Sequence, residues 1–245
     1  MFYHYRTEGF LFKKEPRGES DEILILFTKD FGRLEILAKG VKKIKSKLRG
    51  NVNLFYLSRI EFIQGKVYKT LTDTALIEKF EDIRKNLLKL KLVFALSELM
   101  DNLLIEQEKD ERAWGLLTET LFKINEKKIR FSAVRLLYYY FFWNLISILG
   151  YRPELYNCSF CKKKIKPDEI YFSSKEGGLV CPNCFKKDES VIKIKPEAVK
   201  ILRFLIERDL PILEKLKLEN KHFEELESVT KNFFSFLLKR KNLIY

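Results

Sequence analysis

The chain has 245 residues, 46% of them apolar and 33% charged, and its 47 Lys and Arg against 34 Asp and Glu give a formal charge of +13. That length suits one large domain or two modest ones, and the apolar fraction can fill a core, which excludes wholesale disorder. Two histidines, with no G-x-S-x-G, G-x-x-x-x-G-K-[ST] or H-E-x-x-H segment, supply little for an active site, so composition leans against an enzyme.

The opening residues, Met1-Phe2-Tyr3-His4-Tyr5-Arg6, lack a basic stretch followed by an apolar one, so no secretory signal is expected and the cytoplasm is the expected compartment. From there to residue 79, short β-like runs alternate with turn signals. The runs are Gly9-Phe10-Leu11-Phe12, Ile23-Leu24-Ile25-Leu26-Phe27 and Arg33-Leu34-Glu35-Ile36-Leu37, then residues 57–63 and 67–77 joined at Gln64-Gly65-Lys66. Breaks fall at Pro16-Arg17-Gly18, at Lys29-Asp30-Phe31-Gly32 and across residues 40–50. Five strands in so short a span predict a small barrel of the OB type, which leaves a face and its loops for single-stranded nucleic acid; an SH3-like barrel is the runner-up.

The charge is concentrated in the same region. Residues 1–79 carry 16 cations against 10 acids, and Lys39, Lys42, Lys43, Lys45, Lys47 and Arg49 supply six of the 16 within eleven acid-free positions. Such a cluster attracts polyanions and releases their counterions, which makes nucleic acid the natural partner and these six residues the first candidates for phosphate contacts. Arg33 and Lys66, bordering strands of the same barrel, are second candidates. The plain alternative is a solvated loop that only keeps the protein soluble.

After Glu81 the periodicity becomes helical, with Leu87, Leu88, Leu92, Leu96, Leu99 and Leu103 at threes and fours, followed by helices over 113–124 and 131–149. Gly150 and Pro153 provide the stop. The longest nearly apolar stretch, 136–149, is broken by Asn144 and Ser147 and falls short of the ~20 residues that span a bilayer, so no membrane role is expected. Its aromatic block, Tyr138-Tyr139-Tyr140-Phe141-Phe142-Trp143, points all round a helix and reads as core rather than as a base-stacking platform. Helices are also expected over 196–208 and 223–241, with Pro196 in the first turn of the former.

All four cysteines lie between these helical regions, as Cys158-x-x-Cys161 and Cys181-x-x-Cys184 separated by nineteen residues. Two such knuckles supply the thiolates of a closed tetrahedral site, and one structural Zn²⁺ is the expected cofactor. The intervening segment reads as a hairpin through Lys175-Glu176-Gly177-Gly178. Two disulfides, a redox pair and iron in place of zinc are the other uses of four cysteines. Four protein ligands leave no open position for a catalytic water. The expected class is therefore α+β: a five-stranded OB-fold barrel over residues 1–79, then an α-helical domain over 80–245 with a zinc-binding insert at 151–190.

These features, in this order, resemble the RecO family of bacterial recombination mediators. The resembling residues include Thr7-Glu8-Gly9, Gly18-Glu19-Ser20-Asp21, Phe31-Gly32-Arg33, Lys39-Gly40-Val41-Lys42-Lys43 and Ser46-Lys47-Leu48-Arg49, then Leu149-Gly150-Tyr151-Arg152-Pro153-Glu154-Leu155 and Gly177-Gly178-Leu179-Val180-Cys181. The resemblance implies binding of single- and double-stranded DNA, annealing of complementary strands and work with RecR. It also implies loading of RecA onto DNA coated by single-stranded-DNA-binding protein, and a nucleoid-associated place in the cytoplasm. No ATP or catalytic residue is needed for this. It further implies that the acidic, apolar tail of single-stranded-DNA-binding protein is received by the helical domain, for which the residue 138–143 block and Arg135 offer the ingredients. A zinc-ribbon factor assembling a transcription or RNA-processing complex is the alternative function.

Overall fold

The computed structural model describes residues 3–105, 107–188, 190–207, 210 and 218–242. The strands β1 (His4–Arg17), β2 (Asp21–Thr28), β3 (Gly32–Ala38), β4 (Leu57–Gln64) and β5 (Lys69–Glu78) close in the order β1-β2-β3-β5-β4, with β4 returning to β1. Closure depends on a short parallel pairing of β3 with β5, Ile36 opposite Lys69 and Leu37 opposite Thr70. That pairing gives the OB-like order. Leu24, Leu26, Leu34, Ile36, Ile60 and Phe62 fill the interior, as the period of two along each strand dictates.

β2 is buried on both faces from Leu24 to Thr28, so its outward residues need a second cover. Phe27 meets Trp114, their ring centroids 6.1 Å apart, and Phe10 packs on Phe55 and Phe80. The cover comes from α1 (Glu81–Arg84), α2 (Leu87–Leu103) and α3 (Glu111–Asn125). Asn86 caps α2 by accepting from the amides of Leu88 and Lys89, and Asp110 caps α3 in the same way with Arg112 and Ala113. Buried Lys89 donates from Nζ to the Glu126 carbonyl at 2.6 Å, setting a cation against the negative end of α3. By contacts the chain falls into two compact units, Met1–Lys128 and Ile129–Tyr245, so these three helices group with the barrel.

The second unit contains α4 (Phe131–Ile148), α5 (Pro196–Glu207) and α6 (Asn220–Asn242), together with a three-stranded sheet ordered β7-β6-β8. Its strands are β6 (Ile170–Ser173), β7 (Gly178–Val180) and β8 (Ile192–Ile194). The hairpin expected between the knuckles is β6–β7; β8 was not anticipated. Leu149 ends α4, and Gly150 follows at φ 89°, the left-handed position that glycine takes without strain. Residues 139–143 are all buried: Trp143 stacks on Phe233 at 5.5 Å and donates from Nε1 to Thr230 at 3.2 Å. Arg135 lies over the Phe223 ring at 4.2 Å. The block is core, so it presents no exposed apolar stripe to a docking tail. No helix among the described residues is long and apolar enough to cross a membrane.

Candidate metal centre and nucleic-acid surface

The two knuckles fold by short backbone bonds. Lys162 donates its amide to the Cys158 carbonyl at 2.9 Å, and Cys158 donates to Lys163 at 2.8 Å. In the second knuckle Cys184 donates to Cys181 at 2.9 Å and Lys187 to Cys184 at 3.0 Å. The Ser159 amide reaches the Leu179 carbonyl at 2.8 Å, which ties the first knuckle to the strand that delivers Cys181.

The four Sγ atoms consequently lie within 4.8 Å of one another, and Cys161 and Cys181 are 3.8 Å apart. All four cysteines are free, each sulfur facing the other three, as a four-thiolate site requires. A tetrahedron with metal–sulfur bonds of about 2.3 Å has sulfur–sulfur edges of about 3.8 Å, so the donor set suits a four-thiolate metal ion. Without metal the thiols are unequal. Burial raises the Cys158 pKa, but the amides of Cys161, Cys181 and Phe160 outweigh it and bring the value down to about 6. Cys184 is pushed up to about 12 by desolvation and by the neighbouring sulfurs. One negative sulfur thus disfavours a second, and a divalent cation is the natural means of discharging all four.

The other candidate surface is on the barrel. Residues 39–56, between β3 and β4, run through successive turns closed by Lys43 to Gly40, Ser46 to Lys43, Arg49 to Ser46 and Asn51 to Leu48 amide–carbonyl bonds. Val41 and Val52, each 3% exposed, anchor the segment in the barrel core. Between these anchors Lys42, Lys43, Lys45, Lys47 and Arg49 are all exposed, as is Lys39 just before them, and none of the six forms an ion pair among the described residues.

One neighbouring turn meets this segment, and another lies against the end of β1. The Lys42 amide donates to the Ser20 carbonyl at 3.0 Å and the Gly40 amide to the Asp21 carboxylate at 2.7 Å, which fixes the segment to the β1–β2 turn. The Gly40 amide and the Ser20 hydroxyl hold the Asp21 carboxyl below its usual range. Arg17, at the end of β1, stacks on Tyr68 of the β4–β5 turn at 3.9 Å. Lys66 and Val67 sit in that last turn, both exposed. The Arg17–Tyr68 stack and the exposed apolar tips Ile44 and Val67, 88% and 79% accessible, were not singled out from sequence. The convergence of OB loops was the available signal for them.

Arg33 is elsewhere. It is the second residue of β3, whose last residue leads into the basic segment, so it sits roughly 17 Å away at about 3.3 Å per residue. Its guanidinium contacts Asp101 of α2 at 2.9 Å and Glu35 at 3.1 Å. Lys13 of β1 grips the other Asp101 oxygen at 3.0 Å. Arg6 and Lys14 are likewise paired, with Glu61 and Glu22. These four strand cations are therefore paired with carboxylates, whereas none of the six in the basic segment forms such a pair among the described residues.

With this geometry in view, two family models account for most of the sequence. "Recombination protein O N terminal" matches residues 1–80 and "Recombination protein O C terminal" matches residues 84–243. Among curated relatives, a protein from Dehalococcoides mccartyi strain 195 named "DNA repair protein RecO" is 32% identical over 239 residues, 98% of this chain and 92% of that protein. Proteins with the same name from Alkaliphilus metalliredigens and Roseiflexus sp. RS-1 are 31% and 29% identical, covering 97% and 96% of this chain and 95% and 82% of their own lengths.

Proposed function

This chain belongs to the RecO family of DNA-repair and recombination mediators, which act without catalysis, and from that premise we propose that it promotes the joining of complementary strands, with a cationic barrel end that binds single-stranded DNA. Lys39, Lys42, Lys43, Lys45, Lys47 and Arg49 contact phosphates, and Lys66 does so as well. Two DNA strands repel each other through a charge per nucleotide, and a surface of unpaired cations lowers that cost while releasing counterions. Ile44, Val67 and the Tyr68 ring offer apolar contacts to bases held out of the stack. Nothing in this chemistry reads sequence, so binding is driven by charge and shape. The family's pathway supplies the rest of the reading: RecR and single-stranded-DNA-binding protein as partners, RecA loading as the outcome and the nucleoid as the location. The four cysteines hold one Zn²⁺ that acts structurally, clamping the two knuckles together.

The observation that carries this reading is the group of six exposed cations, none in an ion pair among the described residues, held at one barrel end by Val41, Val52 and the β1–β2 turn. It is tested by replacing Lys42, Lys43, Lys45 and Lys47 with Ala and measuring single-strand affinity across a salt series. Each lost contact lowers the salt slope by about 0.7, so four lower it by about 2.8. A wild-type slope in the variant would move the DNA site elsewhere.

A further inference from the structure

The knuckles carry more positive charge than a metal centre needs. Lys162, Lys163, Lys164, Lys166, Lys186 and Lys187 are all exposed, and none forms an ion pair among the described residues. Four thiolates around a divalent cation leave a charge of −2, so two lysines would balance the centre and the others are surplus. Their placement is shared. Lys162 and Lys163 close the first knuckle through their backbones, Lys187 closes the second, and Lys187 Nζ lies 5.8 Å from the ring of Phe160 in the first. Both groups of lysines therefore gather around the paired knuckles.

The geometry points to a second polyanion surface on this module, one that takes the phosphate backbone of a further nucleic-acid strand; it rests on the reading of the barrel end as the first strand's site. An acidic protein segment fits less well. Protein interfaces rely on buried apolar or aromatic anchors, and the only large apolar side chain exposed among the described residues of this unit is Tyr156, which hydrogen-bonds Glu207 and lies against Arg203. A membrane surface would need an apolar face as well. A patch of flexible ammonium groups without such anchors suits a backbone of repeated phosphates.

The test uses the full-length, metal-loaded protein bound to an immobilised oligonucleotide, and measures capture of a second, labelled oligonucleotide of non-complementary sequence. Four phosphate contacts on a single strand give a salt slope of about 2.8, so capture should weaken roughly 50-fold between 50 and 200 mM salt. The variant Lys163→Gln, Lys164→Gln, Lys166→Gln, Lys186→Gln should lose that capture and its salt dependence. First-strand affinity should stay within about twofold, since the barrel contacts are intact. The four Lys→Arg changes should restore capture, and unaltered metal content and melting temperature would show that the knuckles remain folded. Second-strand capture equal to wild type in the Gln variant would overturn the inference, as would loss of binding to polyglutamate with DNA capture unchanged. Failure of the barrel reading shows separately, as first-strand affinity that survives replacement of Lys42, Lys43, Lys45 and Lys47.

Discussion

Replacing Arg33 with Ala should weaken the fold and leave the salt dependence of DNA binding unchanged. The side chain is 11% exposed and bonds Asp101, which is 24% exposed and keeps a second bond from Lys13. Breaking a fully buried ion pair costs about 3–5 kcal/mol, and a charge-assisted hydrogen bond contributes about 1.5–3 kcal/mol. Because Asp101 is partly solvated and retains Lys13, we expect a loss at the lower end, about 2 kcal/mol. For a unit of this size that corresponds to a fall in Tm of about 8 °C. The effect should depend on pH. Burial raises the Asp101 pKa, but the hydrogen bonds from Arg33 and Lys13 outweigh it and hold the carboxyl below its usual range. A carboxyl lowered by folding contributes stability that is fully present above its unfolded pKa of about 3.9 and is lost as pH falls through the lowered folded value. The Tm difference between wild type and variant should therefore be full at neutral pH and shrink below about pH 4. Thermal melts at several pH values, with Asp101→Ala and the double variant completing a cycle, measure the coupling. An unchanged Tm together with a salt slope reduced by about 0.7 would make Arg33 a phosphate contact and refute the reasoning.

Gly32→Ala should destabilise the first unit by about 2–4 kcal/mol, from a strained left-handed backbone and a lost hydrogen bond. Gly32 has φ 63°, an added Cβ would fall 2.0 Å from the Glu108 carbonyl oxygen, and the Gln107 amide to Arg33 carbonyl bond would be displaced, all visible in a denaturant melt. Metal analysis of protein purified without chelator should find about one zinc per chain, and a coloured iron centre would overturn that assignment. Cys181→Ser should remove the metal and lower the melting temperature of the second unit more than it lowers the single-strand affinity of the folded fraction. Trp143→Ala should cost about 3–5 kcal/mol through the cavity left beside Phe233, read by denaturant unfolding.

Much of the fold follows from local sequence. The Ile- and Leu-rich runs from Ile23 and Arg33 form β2 and β3, Gly150 ends its helix, and each C-x-x-C segment folds into its own turn, because each depends on neighbours within a few residues. The six-cation segment was equally legible, since an acid-free run needs no partner to be recognised. The surroundings of Arg33 and Lys66 were not, although both border barrel strands in the sequence. Only the tertiary structure puts Lys66 in the turn whose Tyr68 meets Arg17, and sets Arg33 at the end of β3 away from the basic segment. There its neutralising partner, Asp101, comes from a helix 68 residues along the chain. Whether a cation is free to meet a phosphate depends on the nearest carboxylate in space, and sequence order carries no measure of that distance.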